Sequence, residues 1–125
     1  INAINSGFDN AVSTIKKKLT KDFTSVYSDM ESIQKVMEGG SLDKKQRQPW
    51  MDMGFAWGAI LYNEIDGMEW VTVIDGAKEY PALRFRDTDV MACPGELIWN
   101  RVKQGKACDL KAEFAKIRSE VEKVI

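Results

Sequence analysis

Two glycines lie four residues apart in the most apolar segment of the chain. Gly54 and Gly58 are interleaved with Trp50, Trp57 and Leu61, and their spacing places both on one side of a helix. Glycine in a helix interior costs about 1 kcal/mol relative to alanine. A helix that carries two of them must gain from a close approach. We therefore expect another backbone or a flat aromatic ring to pack against this side. A ligand slot beside Gly58 is the alternative.

The rest of the pattern predicts an α+β fold, with about five helices packed around a small antiparallel sheet of two to three strands. Apolar residues at spacings of three and four predict helices over residues 4–19, 24–38 and 44–65, the last with a start or a kink near Pro49. Further helices are expected from Pro94 to Gly105 and over 109–123. Strands are expected at 68–74, 81–85 and within 87–92, with 75–79 as a loop. We expect one domain over residues 1–125.

Composition excludes several classes of function. The formal net charge is −1, from 18 basic and 19 acidic side chains, which argues against nucleic-acid binding through a broad basic face. The chain has no histidine, so histidine triads and histidine metal sites are excluded. No apolar run approaches the roughly 18 residues of a membrane span. We expect no metal, no cofactor and no nucleic-acid partner.

Cys93 and Cys108 are the only cysteines. We expect two free thiols, because the intervening helix, about 15 Å long, would hold them apart. Cys93 precedes Pro94 at a helix N-terminus, where the dipole could lower its pKa for redox or acyl-transfer chemistry. The other interpretation is a small buried residue at the helix start. Free thiols favour the cytoplasm, and the periplasm stays open because the chain begins at Ile1 and not at methionine.

Charged residues around the expected hairpin are candidates for binding. Arg84 stands in a strand, and we expect it to pair with Asp75 or Glu64, or to bind an anion or a protein. Glu64, Asp66 and Glu69 cluster around the turn at Gly67. They would either form an ordinary solvated turn or present a negative patch to a basic partner.

Three motifs stand out in the middle of the chain: GFAWGAILYNEIDGMEWVTVID, then YPALR, then IWNRVKQG. Together they resemble a small bacterial family that is classed as a domain of unknown function. Its pattern is a helix of the form GxxxGxxLxxExxG followed by WVxVxD and ALR strands. The resemblance covers residues 30–114. It implies no activity, and small domains of this kind resemble immunity or accessory proteins near toxin and secretion loci.

These observations favour a non-enzymatic protein-binding domain, with an immunity protein that neutralises a toxin as the specific hypothesis. The alternative is a small-molecule-binding domain or an unrecognised enzyme with a pocket near the third helix and the hairpin. The sequence does not indicate an oligomeric state. The candidate binding residues under these hypotheses are Trp57, Gly58, Glu64, Trp70, Asp75 and Arg84.

Overall fold

The computed structural model describes residues 2–125 and confirms the α+β class. The helices are α1 (Asn2–Leu19), α2 (Met30–Glu38), α3 (Arg47–Glu64), α4 (Pro94–Lys103) and α5 (Leu110–Val124). The strands are β1 (Met68–Asp75), β2 (Lys78–Phe85) and β3 (Met91–Ala92). Within residues 2–125, no helix is both long enough and apolar enough to cross a membrane.

Helix α3 forms the centre of the core. It is buried over almost its whole length from Trp50 to Leu61, as expected of a helix with neighbours on every side. The helices α1, α2 and α4 all pack against it. It begins at Arg47, so Pro49 lies in its first turn, where a missing backbone N–H is tolerated. The indole N–H of Trp50 donates to the carbonyl of Asp43 at 3.0 Å and ties down the preceding loop.

The second helix starts later than the sequence pattern predicts. Residues 24–29 were expected to be helical, but α2 begins at Met30 after a single 3-10 turn, Tyr27–Asp29. The Asp29 carboxylate explains the delay, because it accepts hydrogen bonds from the backbone N–H groups of Thr24 (2.9 Å) and Val26 (3.2 Å). A short acidic side chain that bonds to nearby N–H groups stabilises a turn in competition with the helix.

The sheet has the order β1-β2-β3 and is antiparallel throughout. The prediction of a loop over residues 75–79 is wrong. Asp75 pairs directly with Lys78, leaving a two-residue turn. Gly76 has a φ of 63° there, which is typical of a type II′ hairpin with glycine in the first position. The third strand is also shorter than expected, because only Met91–Ala92 pair with β2.

Pro81 lies inside β2, opposite Thr72. The N–H of Phe85 donates away from β1 to Val90 at 2.9 Å, whereas the N–H of Arg86 donates towards β1, to Gly67 at 3.0 Å. Backbone groups alternate in direction along a strand, so the nitrogen of Pro81 also faces away from β1. Because β3 does not extend this far, the N–H that proline lacks would have had no strand partner.

The two glycines of α3 are contact points, and the packing interpretation is confirmed. A Cβ on Gly54 would lie 2.6 Å from the backbone nitrogen of Gly95, at the start of α4. A Cβ on Gly58 would lie 2.6 Å from the Trp70 ring and 3.0 Å from Pro94. The first glycine therefore admits the backbone of a neighbouring helix, and the second admits an aromatic ring from the sheet.

Asp52 is the one acidic side chain that the core buries among residues 3–125. It lies on α3, facing α1, and its carboxylate accepts a hydrogen bond from the Gln48 amide at 2.8 Å. Burial raises the pKa of Asp52 above the ordinary aspartate value, and hydrogen bonds from Gln48 and Asn10 offset part of this effect. Ionised Asp52 therefore lowers the stability of the folded state relative to its protonated form.

We expect Gly54→Ala to destabilise the fold by about 1–3 kcal/mol, because the new methyl group must displace the backbone of α4. In an exposed helix the same change would stabilise by about 1 kcal/mol, so the sign is diagnostic. Urea unfolding of both proteins measures the change in the free energy of unfolding. Ser13→Ala on the exposed side of α1 is the control and should leave stability nearly unchanged. A Gly54→Ala variant as stable as the parent would refute the close approach.

We expect Asp52→Asn to be more stable than the parent at pH 7. An acid whose pKa is raised on folding binds its proton more tightly in the folded state. Stability therefore falls as the pH rises from the ordinary pKa through the raised pKa of Asp52. The gain should shrink towards about pH 3, where both states are protonated. Thermal unfolding across this range tests it, with Asp66→Asn at the exposed turn as the control. A loss of stability at pH 7 would contradict the cost assigned to the buried charge.

Candidate functional site

Two of the sequence-predicted site residues, Gly58 and Trp70, lie in the packing between α3 and the sheet, and a third, Trp57, lies in the core against α2. Trp57 is completely buried, and its indole nitrogen lies 3.3 Å from the sulfur of Met30. Gly58 is covered by the ring of Trp70 and by Pro94. Trp70 is half-buried and packs against the core. The space beside Gly58, considered above as a ligand slot, is occupied by these side chains.

Glu64 ties the end of α3 to the segment before α2. Its carboxylate accepts a hydrogen bond from the backbone N–H of Tyr27 at 2.6 Å. The neighbouring Asn63 amide donates to the carbonyl of Ser25 at 2.9 Å. Glu64 is half-buried, whereas Asp66 and Glu69 are exposed. The carboxylate of Glu64 is therefore bound to the backbone of the same chain. Of the three acidic residues expected to form a negative patch, only Asp66 and Glu69 are exposed.

Asp75 and Arg84 lie on the side of the sheet opposite the one from which Trp70 packs on α3. Successive residues of a strand point to opposite sides, and Met68, Leu83 and Phe85 occupy the buried side. We call the opposite side the outer face. It comprises Glu69, Val71, Val73 and Asp75 of β1, Lys78, Tyr80, Ala82 and Arg84 of β2, and Met91 of β3.

The centre of the outer face is apolar. Val71, Val73 and Tyr80 are half-buried, and they are not part of the hydrophobic core cluster. Ala82 is fully buried between larger neighbours, and Met91 is 41% exposed. Polar side chains usually occupy the solvent side of an antiparallel sheet. An apolar centre on that side is therefore a feature to explain.

Charged side chains frame this apolar centre. Arg84 forms a long ion pair with Asp87 at 3.8 Å, so the expected pairing with Asp75 or Glu64 is wrong. The register explains the difference, since Arg84 faces Glu69 across the strands and Asp75 faces Lys78 at the other end of the hairpin. The Nε atom of Arg84 is buried without a hydrogen-bond partner among residues 2–125.

A groove with a volume of about 810 Å³ adjoins the outer face near the hairpin tip. One wall includes Asp75, Lys78, Tyr80 and Met91, and the other is formed mainly by α4. Charged side chains of both signs line it, together with apolar ones. Small-molecule pockets are mostly apolar with few charged groups, so this lining is closer to that of a polypeptide-binding surface.

The chemistry available around the groove is limited. Cys93 and Cys108 are free thiols, as predicted. Burial raises the pKa of Cys93, and the negative charge of Glu96 raises it further. Burial likewise raises the pKa of Cys108, to about 11. Of the two interpretations of Cys93, the structure supports the small residue at the helix start over the activated thiol, because desolvation and Glu96 outweigh the helix dipole. Within residues 2–125, no cluster of three acidic or cysteine side chains could hold a metal ion.

Lys78, Tyr80 and Met91 belong to the outer face, and the sequence analysis did not single them out. The first two fall in the segment that was expected to be a loop or its end, because Pro81 was taken as the strand start. Gly76 at the tip was the available signal, since glycine followed by another residue suits a two-residue hairpin turn.

We expect Cys93 to react with iodoacetamide more slowly than free cysteine at pH 7.5, because burial and Glu96 raise its pKa and disfavour the thiolate in the fold. Mass spectrometry of Cys108→Ser isolates this thiol, and the same variant in denaturing urea is the control that should react at the ordinary rate. Alkylation of native Cys93 faster than free cysteine would restore a reactive-thiol function.

Comparison with known proteins identifies the family. A family model described as a domain of unknown function (DUF3806) matches residues 29–114. A crystal structure of a protein from Bacteroides thetaiotaomicron is 38% identical and superposes with a TM-score of 0.84, over 91% of this chain and 42% of that chain. The present chain therefore spans less than half the length of that protein. No curated protein matches the sequence. Since the family model matches most of the chain, the protein belongs to the DUF3806 family, a domain of unknown function.

Proposed function

We propose that this domain binds another protein through the outer face and does not catalyse a reaction. The observation that carries the proposal is the apolar centre of the outer face, where Val71, Val73, Tyr80 and Met91 lie outside the core. Apolar surface that is framed by polar groups is characteristic of protein contact sites.

The charged rim supports recognition of a specific partner. Glu69, Asp75 and Lys78 form no ion pair with any residue between 2 and 125. These charges are free to meet opposite charges on another surface. Such complementarity contributes mainly to specificity and to the rate of association.

The arrangement of ionisable groups supports a binder over an enzyme. Both thiols are held protonated at neutral pH by raised pKa values. Glu69 and Asp75 lie six residues apart on one strand, about 20 Å at 3.3 Å per residue, which is too far for paired acid–base work. Asp52 has a raised pKa but is enclosed between α1 and α3.

The more specific form of the proposal is an immunity function, in which the bound protein is a toxin encoded beside this chain's own gene. Its support is the resemblance to small bacterial domains found near toxin loci. In this form, the domain would block the toxin by occupying its surface, and no chemistry at the interface would be needed.

Small-molecule binding is the second candidate. It is favoured by a cleft of about 360 Å³ beside Trp70, with aromatic walls that include Phe8, Phe55 and Tyr62. A flat apolar ligand would suit these rings. The cleft lies between α1, α3 and β1, apart from the outer face. Substitutions in the cleft and on the outer face therefore separate the two functions.

We expect a protein encoded by an adjacent gene to bind the parent domain, and Met91→Asp to weaken this binding at least about tenfold by placing a charge in the apolar centre. Isothermal titration calorimetry with the purified products measures the affinity. Tyr62→Asp is the matched control, since Tyr62 is also an exposed apolar residue, 55% accessible, on α3. It should bind like the parent.

Two results would count against the proposal. Binding to none of the adjacent products would remove the expected partner, and equal loss in the Met91 and Tyr62 variants would remove the outer face as the site. Co-expression with an adjacent toxin tests the immunity form, because the parent should protect the cells and Met91→Asp should not.

A further inference from the structure

The charges of the outer face follow a simple pattern. Each end of the hairpin carries one acidic and one basic residue directly opposite each other, Glu69 with Arg84 and Asp75 with Lys78. The β1 side is therefore acidic at both ends, and the β2 side is basic at both ends. Between the ends, both sides are apolar.

We propose that the outer faces of two copies of this chain pack against each other about a two-fold axis that runs parallel to the strands. This rotation places β1 of one copy over β2 of the other without changing the position along the strand. Glu69 then lies over Arg84 of the second copy, and Asp75 lies over Lys78. The symmetry repeats each contact, so four opposite-charge contacts frame the interface.

The apolar residues match in the same arrangement. Val71 and Val73 of one copy lie over Ala82 and Tyr80 of the other, at the roughly 10 Å separation of two packed sheets. The half-exposed apolar centre of each copy would thereby be removed from water.

The other two-fold arrangements oppose like charges. A two-fold axis across the strands would place β1 over β1, with acidic residues facing acidic residues. Pairing of the free β1 edges, centred on Thr72, would set Glu69 of one copy beside Asp75 of the other. Like charges that are directly opposite destabilise strand pairing. Charge complementarity therefore selects the axis parallel to the strands.

The size of the face predicts a weak dimer. The eight residues of each long strand, at about 3.4 Å each, give a length of roughly 27 Å, and the two overlapping strands give a width of roughly 10 Å. This area is below that of a standard stable interface, which buries about 800 Å² on each partner. We expect dissociation at micromolar or higher concentrations, so measurements need concentrated samples.

This inference goes beyond the proposed function, since it concerns the chain alone. Sedimentation velocity over about 10 μM to 1 mM of the purified protein should show a monomer–dimer equilibrium. Lys78→Asp should raise the dissociation constant about tenfold or more, because each dimer then contains two new like-charge contacts. Asp75→Lys should have the same effect.

The swap variant Asp75→Lys/Lys78→Asp is the decisive control. It exchanges the two charges and restores opposite charges across the interface, so dimerisation should return to within about threefold of the parent. Lys17→Asp, on the exposed side of α1, changes the net charge as Lys78→Asp does and should have little effect. Circular dichroism confirms that each variant is folded.

Three outcomes would overturn the inference: a monomer at every concentration, a dimer that is indifferent to Lys78→Asp, or a dimer that Asp75→Lys strengthens, which would indicate pairing of the β1 edges. These outcomes are distinct from failure of the proposed function. A monomer that binds an adjacent product with Met91 intact would leave the proposed function standing. A dimer that binds no adjacent product would support this inference and count against the proposed function.

Discussion

The close approach of α3 to its neighbours is the contact on which the rest of the structure depends. Gly54 lets the start of α4 lie directly on the helix, and Gly58 lets the ring of Trp70 do the same. A side chain at either place would push a backbone or an indole ring away. The position of the hairpin, and so the direction of its outer face, follows from how closely Trp70 can approach.

The hairpin has two different sides as a result. On the buried side, Leu83 and Phe85 join the core, and Met68 packs with them. On the outer side, the same alternation of residues presents Val71, Val73 and Tyr80 towards solvent. An apolar centre on the solvent side of a sheet is unusual, and contiguous apolar surface of this kind is characteristic of contact sites. The binding that we propose for the outer face therefore depends on how the core holds the hairpin.

Much of the fold could be predicted from the sequence because its signals are local. The spacing of Ile15 and the other apolar residues near it predicts α1. The energetic cost of Gly54 and Gly58 predicts a close contact, but it does not identify which segment makes that contact. The approach of Gly95 depends on how α4 returns to α3, which no local pattern encodes. The turn at Asp29 was missed because its carboxylate competes with helix formation.

The candidate site was harder to predict, because it depends on strand register. Arg84 was correctly placed in a strand, but its neighbours follow from the two-residue turn at Gly76, which the expected loop obscured. Trp57 was a candidate because it neighbours Gly58 and the possible ligand slot, and the structure shows that its side chain is fully enclosed. The choice between the two interpretations of the Cys93 thiol also required the folded structure. The environment of this thiol is set by burial and by Glu96, and neither effect is visible in the helix start alone.

Pro81 has a consequence for how far this sheet can grow. Where β3 ends, β2 has a bare edge, and a strand from elsewhere could in principle extend the sheet there. Pro81 has no backbone N–H, so this edge lacks one of the few hydrogen-bond donors that an added strand would need. Open-ended polymers are therefore discouraged at this border, even in crowded solutions where the hairpins meet often.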